Sequence, residues 1–314
     1  MSIVVGGLGG GGDVGLAAVI VEDLGLADEV AAVVSFARCG SGRVPGGFRR
    51  VEGALYDIDP RAGLGRRFFE DKLAVIAGWA RRVYVLCALS PWGDIVAGLE
   101  WITDNVGAPC SVHADIGGDG LVTGYEEGLG SYKVDTVAKA ALAYAAEAYG
   151  WRPYIAVGAA GGEGGGGEIT VEDLAATLSL LDNGGAIAGV FAPSRGSIYV
   201  AEALLAMADS GMLPLYLSAV RGVERARIHR AYLSGEYIVR RWYKYVIVVD
   251  AVKACEASPL CKAAKGRGVQ GISRWSIAER GGGSGPGRFY REMREIIGRK
   301  GSSYAESIII SILE

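Results

Sequence analysis

Two glycine-rich segments of the chain combine residue types that bind anions and cations. The first runs from Gly6 to Gly12, holds six glycines in seven positions, and is followed by Asp13. The second reads His113-Ala114-Asp115-Ile116-Gly117-Gly118-Asp119-Gly120. Glycine lets the main chain approach a ligand closely, and aspartate supplies carboxylate oxygens for a cation or a proton. Each segment is therefore a candidate binding site.

The first segment has the sequence context of a phosphate-binding loop. It follows the apolar run Ile3–Val5 and opens a helical pattern over residues 14–24. Its glycines fit the spacing G-x-G-x-x-G, and free N–H groups at a helix N-terminus attract anions. A tight turn that binds nothing is the alternative, although a turn would not require so many glycines. We expect cofactor contacts from Gly7, Gly9, Gly10, Gly11, Gly12 and Asp13.

The second segment closes a predicted strand with acidic residues. His113 and Asp115 are two residues apart, so both side chains leave the same face of that strand. We predict Asp115 and Asp119 as catalytic carboxylates and as ligands of Mg²⁺, and His113 as a catalytic general base. Aspartates that cap turns and a hydrogen-bonded core histidine are the alternatives that stay open.

Both segments follow strands, so they are expected to share one edge of the sheet. Parallel α/β sheets bind ligands at the carboxyl ends of their strands. We therefore predict that the two bends meet in one crevice, to which Asp135 adds a further acidic group. Additional cofactor contacts are expected from Gly117, Gly118, Glu126 and Ser131.

Residues 41–66 interrupt the regular pattern with frequent Gly, Pro and Arg. A long irregular segment in a compact domain is usually functional. Because arginine makes bidentate contacts to phosphate, we predict that Arg43, Arg49 or Arg50 closes over a bound phosphate as a lid.

Short apolar runs alternate with helical patterns along the chain. The runs have strand length and do not alternate in polarity, which is typical of strands covered on both faces. The pattern of residues 132–149 predicts a helix with an alanine-rich buried face and Lys139 outside it. This order predicts an α/β fold, a doubly wound, mainly parallel, Rossmann-like sheet in three α/β/α layers. The runs are Ile3–Val5, Ala31–Phe36, Val83–Leu89, Ser111–Asp115, Tyr154–Val157, Ala186–Phe191 and Val246–Val249.

Composition narrows the class of protein. The 314 residues are 50% hydrophobic and 21% charged with a net charge of −3, which indicates a globular protein and not a dedicated nucleic-acid binder. No apolar stretch reaches the ~18–20 residues of a membrane span. Met1–Val5 has no basic region and is followed by a glycine run, so we do not expect a signal peptide. We expect a cytoplasmic protein with one domain over residues 1–314; a boundary near 160–168, where glycines cluster, is the alternative.

The five cysteines do not suggest a zinc site, because no CxxC pair occurs and the chain has two histidines. Cys87 and Cys110 lie in strand-like runs and are expected to be buried apolar residues. Cys255 and Cys261 flank a Ser-Pro turn; we expect unpaired thiols there, with a disulfide as the alternative.

Three motifs together resemble a mainly archaeal family of unknown function, DUF1152. They are Gly9–Val14, Asp115–Gly120 and Gly124–Asp135. The resemblance covers most of the chain, and its specific motifs lie in the first 170 residues. It implies an archaeal, cytoplasmic α/β protein and assigns no catalytic residue.

The motifs favour an enzyme that acts on a nucleotide or a phosphorylated sugar, with Mg²⁺ as a cofactor. Acidic residues without a serine or cysteine triad suit hydrolysis or group transfer. An NAD(P)-dependent oxidoreductase is one alternative, with His113 or Tyr125 as proton donor and Arg38 facing a 2′-phosphate. A non-catalytic nucleotide-binding or assembly protein, including a homo-oligomer, is the other.

Overall fold

The computed structural model describes residues 2–40, 46–61, 65, 68–107, 110–126, 132–162, 169–229, 234–274 and 285–314. The strands are β1 (Ile3–Gly7), β2 (Val30–Ala37), β3 (Phe48–Glu52), β4 (Leu55–Ile58), β5 (Val83–Cys87), β6 (Cys110–Ile116), β7 (Arg152–Gly158), β8 (Ile187–Phe191), β9 (Arg225–His229), β10 (Ser234–Ile238) and β11 (Val246–Asp250). The helices are α1 (Gly12–Asp23), α2 (Glu70–Ile76), α3 (Trp92–Val106), α4 (Lys133–Tyr149), α5 (Val171–Asn183), α6 (Tyr199–Met207), α7 (Leu213–Arg221), α8 (Ala251–Ala257), α9 (Pro259–Ala264), α10 (Val269–Arg274), α11 (Pro286–Lys300) and α12 (Ser302–Leu313).

Within these residues, nine strands form one sheet in the order β3-β4-β5-β2-β1-β6-β7-β11-β8, and β9 pairs with β10 in a separate hairpin. The five central strands, in the order β5-β2-β1-β6-β7, are parallel. The chain leaves β1 in one direction to β2 and β5, and later continues on the other side of β1 through β6 and β7. This reversal makes the gap between β1 and β6 the switch point of the sheet.

Helices cover the sheet on both faces. Helices α1, α2, α6 and α7 pack against one another and form one group. Helices α3, α4, α8, α9 and α10 form the other group. Because right-handed crossovers leave β1 in opposite directions, the two groups lie on opposite faces. Helix α5 packs against α8 and is covered by α11 and α12. The predicted doubly wound, mainly parallel three-layer fold is confirmed, and all seven predicted apolar runs are strands.

Strands β4 and β11 run antiparallel to the other strands of the sheet, and β4 lies in a segment that we expected to be irregular. Residues 48–58 form the antiparallel hairpin β3–β4, which extends the sheet beyond β5. Its pattern was not recognised because β3 is an edge strand with three charged residues. Strand β11 pairs antiparallel with β7 and β8, since the chain enters it from the β9–β10 hairpin and not from a crossover helix.

Four of the five cysteines form disulfides, so the expectation of unpaired thiols at Cys255 and Cys261 is wrong, and the alternative of a disulfide there is correct. Cys39 bonds to Cys87 because β2 and β5 are neighbours, which brings the two Cα atoms to 4.7 Å across 48 residues of sequence. Cys255 bonds to Cys261, because the break between α8 and α9 folds the chain back. Cys110 is free and buried, as predicted.

The helix predicted over residues 132–149 is present as α4, but Lys139 is not on its exposed side. The structure buries this lysine completely. Periodicity cannot reveal such a residue, since a lysine reads as solvent-facing unless its partners are known. Among the described residues, no helix is both long and apolar enough to cross a bilayer.

Candidate functional site

The loops that follow β1 and β6 meet at the switch point of the sheet. The Leu8 N–H donates to the carbonyl of Ala114 at 2.7 Å. The Asp13 carboxylate accepts the Gly9 N–H at 2.8 Å and the Ile116 N–H at 3.1 Å. Asp13 therefore joins the two loops, and the predicted meeting of the two bends is confirmed.

Three carboxylates converge at this junction, and we call Asp13, Asp115 and Asp135 the acidic triad. One oxygen of each lies within 4.8 Å of the others. Asp13 belongs to the first turn of α1, Asp115 to the end of β6 and Asp135 to the first turn of α4. All three are buried, with at most 8% of the residue exposed. The geometry is that of an oxygen-rich cation site.

Electrostatic repulsion from the other carboxyl groups changes the pKa of Asp135. Burial raises the pKa of Asp135 well above its usual value, and the nearby carboxyl groups of Asp115, Asp119 and Asp13 raise it further. Like charges in a low-dielectric site cannot all remain ionised without compensation. A proton, a bound cation or a neighbouring ammonium group would relieve this repulsion.

One buried ammonium group lies beside the acidic triad. Lys139 is one helical turn beyond Asp135 on α4, and its Nζ donates to the carbonyls of Gly120 at 3.1 Å and Val122 at 2.6 Å. Burial lowers the pKa of Lys139 to about 8, whereas the surrounding carboxyl groups oppose that change. The single ammonium group of Lys139 is thus surrounded by several carboxyl groups.

The first glycine loop passes directly over the acidic triad. A Cβ at Gly9 would lie 2.7 Å from Asp135 Oδ1 and 3.0 Å from Asp13 Oδ2, so a larger residue there would displace these carboxylates. Gly10 and Gly11 adopt positive φ angles, and no side chain caps the start of α1. Gly10, Gly11 and Gly12 are partly exposed. The positive end of a twelve-residue helix is therefore open beside the triad.

Other predicted glycine contacts have a structural explanation. Gly7 is buried, and its N–H donates to Ser35 Oγ at 3.1 Å. Gly117 exchanges hydrogen bonds with the loop after β7, and a Cβ at Gly118 would lie 3.3 Å from the Gly161 nitrogen. Close packing between the loops is sufficient to require glycine at 117 and 118.

Asp119 lies near the acidic triad but is not a member of it. It begins the short 3-10 turn Asp119–Leu121, is 7% exposed and contributes to the raised pKa of Asp135. The metal pair of Asp115 and Asp119 stays a prediction, and the geometry places Asp13 and Asp135 beside Asp115. Asp13 and Asp135 each lie in the first turn of a helix. This shared position is the sequence feature that could have identified them as a pair.

His113 is buried in β6, two residues before Asp115. It is 1% exposed, and neither ring nitrogen has a hydrogen-bond partner among the described residues. Its ring packs edge-on against Phe36, with centroids 5.5 Å apart. Burial lowers the pKa of His113 to about 3, so the ring is neutral near pH 7. The proposed general-base role gains no support from these contacts.

Glu126 is held by hydrogen bonds instead of facing a ligand. Its carboxylate accepts the N–H groups of Thr123 and Gly124 and the hydroxyls of Thr123 and Thr177, at 2.6–3.2 Å. It ties the loop after β6 to α5. The adjacent Tyr125 stacks on Tyr290 of α11 at 5.6 Å. Ser131 lies outside the described residues.

Arg49 and Arg50, two of the three arginines predicted to form a lid, do not lie over this site. Arg49 pairs with Asp57, and Arg50 Nε donates to the Gly53 carbonyl at 2.9 Å. Both arginines belong to edge strand β3, four strand spacings or roughly 19 Å from β1. Arg43 lies outside the described residues. The sequence did not show that this segment continues the sheet sideways.

Comparison with known proteins identifies the family. A family model described as "Protein of unknown function (DUF1152)" matches residues 4–270. The match covers most of the chain, so the chain belongs to this family and the sequence resemblance is confirmed. Helices α11 and α12 lie beyond the matched segment. No curated protein and no solved structure matches the chain.

Proposed function

We propose that this member of the DUF1152 family binds a divalent cation and a phosphorylated small molecule, such as a nucleotide, and catalyses hydrolysis or group transfer. The observation that carries the proposal is the convergence of the Asp13, Asp115 and Asp135 oxygens within 4.8 Å, beneath a glycine-rich helix start. The convergence lies at the switch point, where α/β sheets bind their ligands.

The acidic triad supplies the cation site. Carboxylate oxygens are the preferred ligands of hard cations such as Mg²⁺. A cation between the three aspartates offsets the repulsion that raises the pKa of Asp135. Protonation competes with the cation, so we expect cation affinity to increase as the pH rises and Asp135 ionises.

The helix start supplies the anion site. Gly10, Gly11 and Gly12 are partly exposed at the positive end of α1. Asp13 in the same turn would repel a phosphate in the absence of a cation. A cation held by the triad reverses this effect, since it attracts phosphate oxygens as well as carboxylates. The glycines and the aspartates thus bind the same ligand, the glycines through its phosphate and the aspartates through the cation.

The reaction that suits this arrangement is displacement at phosphorus. A cation held by Asp13, Asp115 and Asp135 would polarise the phosphoryl group, and Asp119, outside the triad, would accept a proton from the attacking water or hydroxyl. The new oxygen–phosphorus bond forms as the bond to the leaving oxygen breaks. Glu126 and His113 have no role in this step.

Isothermal titration with a panel of nucleotides, with and without Mg²⁺, tests the proposal. We expect the wild type to bind at least one nucleotide more tightly with Mg²⁺, and Asp115→Ala to lose that gain. Asp104→Asn, an exposed carboxylate on α3, is the matched control and should bind like the wild type. Absence of binding by the wild type, or equal binding by Asp115→Ala, would reject the proposal.

A second candidate is an NAD(P)-dependent oxidoreductase, which the Rossmann-type order of the central strands favours. Arg38 is exposed just after β2, where a 2′-phosphate would lie. NADP⁺ and NAD⁺ belong in the same panel. Binding of either one without Mg²⁺, unchanged in Asp115→Ala, would favour this candidate.

A further inference from the structure

A cavity of about 460 Å³ lies where the loop after β5 meets the turn before α10. Residues 89–92 form one side of it, and the other side comes from Gly266, Arg267, Val269 and Gln270. The first side leads into α3, so the cavity lies beside the carboxyl end of a parallel strand. Its size is within the range of small-molecule sites in proteins, about 300–1,000 Å³. The proposed function does not use this cavity.

One of the residues that line the cavity is aromatic. Trp92 is half-buried at the first position of α3, and the ring of Tyr144 on α4 packs edge-on against it with centroids 5.8 Å apart. A Cβ at Gly268 would lie 3.9 Å from Cε3 of the indole. Packing against α4 and against the turn before α10 therefore holds the ring in place. An indole ring held beside a cavity can stack on a planar heterocycle, and every nucleobase has such a face.

The electrostatic character of the cavity is positive. Arg267 is exposed and is the one charged residue among the described residues that line it. Helix α3 has 15 residues and begins at the cavity without a side-chain cap, and Asp94 in its first turn does not line the cavity. The nearby Glu147 pairs with Lys265. A guanidinium and a positive helix end favour an anion, and arginine binds phosphate through two parallel hydrogen bonds.

Gln270 adds a side-chain amide to the same cavity. It lies in the first turn of α10, three residues beyond Arg267, and it is exposed. An amide side chain donates and accepts hydrogen bonds at once, which matches the N6 amino group and the N7 acceptor of adenine. Trp92, Arg267 and Gln270 thus provide three different kinds of contact around one cavity: a ring face, a cation and a hydrogen-bonding edge.

We propose that this cavity is a second ligand site, which binds a nucleoside monophosphate with an adenine base. The base stacks on Trp92, the phosphate pairs with Arg267 at the start of α3, and Gln270 contacts the edge of the base. None of the residues that line the cavity belongs to the acidic triad or to the two glycine-rich segments. Because no carboxylate of the described residues lines it, the nucleotide binds here without a divalent cation.

Isothermal titration with adenosine monophosphate (AMP) in the presence of EDTA tests the site. We expect the wild type to bind AMP, and Trp92→Leu and Arg267→Gln each to bind it about tenfold more weakly. Trp92→Phe keeps an aromatic ring and should retain most of the affinity. Arg82→Gln changes an exposed arginine before β5, and Asp115→Ala changes the acidic triad; both should bind AMP as the wild type does. Since Arg267 is exposed, its variant does not depend on repacking of the interior.

Adenosine and inorganic phosphate separate the two parts of the ligand in the same experiment. Adenosine should bind more weakly than AMP, and equally well to the wild type and Arg267→Gln. No AMP binding by the wild type, unchanged AMP affinity in Trp92→Leu or Arg267→Gln, or equal affinity for AMP and inorganic phosphate would overturn the proposal. Loss of AMP binding in Asp115→Ala would also overturn it, because the nucleotide would then bind at the switch point. The second site and the proposed function can therefore fail independently.

Discussion

Glu126 and Asp135 are both buried carboxyl groups at the switch-point end of the sheet, and their surroundings are opposite in kind. Glu126 receives N–H and O–H groups from Thr123, Gly124 and Thr177. Asp135 faces the carboxyl groups of other aspartates, and its pKa is raised by burial and by those neighbours. Burial is the same in both regions, but only one of them supplies enough donors.

This difference separates a structural carboxylate from one that is suited to a ligand. Hydrogen-bond donors stabilise the charge of Glu126 within the protein itself. In the acidic triad, backbone N–H groups reach Asp13 and Asp115, whereas Asp135 faces like charges, and we propose that a bound cation balances them. A substitution that removes the charge should therefore have effects of opposite sign in the two regions.

The largest effect is expected at Glu126. Glu126→Gln replaces an acceptor with an amide whose N–H₂ would face donors, and we expect a loss of about 3 kcal/mol in the free energy of unfolding. Urea denaturation measures it. Glu100→Gln, an exposed residue on α3, should change the stability by less than about 0.5 kcal/mol. If Glu126→Gln left the free energy of unfolding unchanged or increased it, the proposed difference between Glu126 and Asp135 would be contradicted.

Glu70 at the start of α2 is an intermediate case, since the Phe69 N–H donates to one carboxylate oxygen and the other has no partner among the described residues. Burial raises its pKa from 4.5 to about 7. The stability that the protonated form contributes is fully present below pH 4.5 and is lost as the pH rises through 7.

Glu70→Gln should therefore remove this pH dependence and stabilise the protein by about 2 kcal/mol above neutral pH. Thermal unfolding across the pH range measures the difference between variant and wild type. The difference should be near zero in acid and should grow with pH. A difference that does not vary with pH would show that Glu70 keeps an ordinary pKa.

The Asp135→Asn substitution sharpens the comparison in the opposite direction. Removal of one like charge should stabilise the cation-free protein by about 1 kcal/mol and abolish the stabilisation that Mg²⁺ gives the wild type. Because the raised pKa makes the charged form costly, the gain should increase with pH. Asp104→Asn is the control, and a destabilised Asp135→Asn would assign Asp135 to the same structural class as Glu126.

The smallest expected effect is at the loop that crosses the triad. Gly9→Ala places a methyl group 2.7 Å from Asp135 Oδ1, so the carboxylates must move. We expect Mg²⁺ affinity to fall about threefold, equivalent to about 0.7 kcal/mol. Gly93→Ala, where a Cβ meets nothing within 4 Å, should bind Mg²⁺ as the wild type does. Isothermal titration distinguishes the two variants.

Much of the fold could be predicted because apolar runs and helical periodicity report burial directly. The seven apolar runs all become strands, and α4 begins one residue after the predicted start. Strand direction is not encoded in such runs, so the reversed pairing of β11 was not foreseen. Edge strand β3 has a polar sequence because water covers part of it, and it therefore resembled a loop.

The position of the site and its acidic residues could be predicted, but not which of these residues converge. Loops at the carboxyl ends of β1 and β6 meet because parallel strands share an edge. The identity of the triad depends on how α4 packs, which also buries Lys139, and neither fact follows from local sequence. The bond between Cys39 and Cys87 likewise requires knowledge of which strands are neighbours.

The most direct test of the cation site is anomalous diffraction from a crystal grown with Mn²⁺. The account predicts an anomalous peak bonded to oxygens of Asp13, Asp115 and Asp135, and its loss in crystals of Asp135→Asn. Anomalous peaks at surface carboxylates alone, with the space between the three aspartates free of metal, would contradict it.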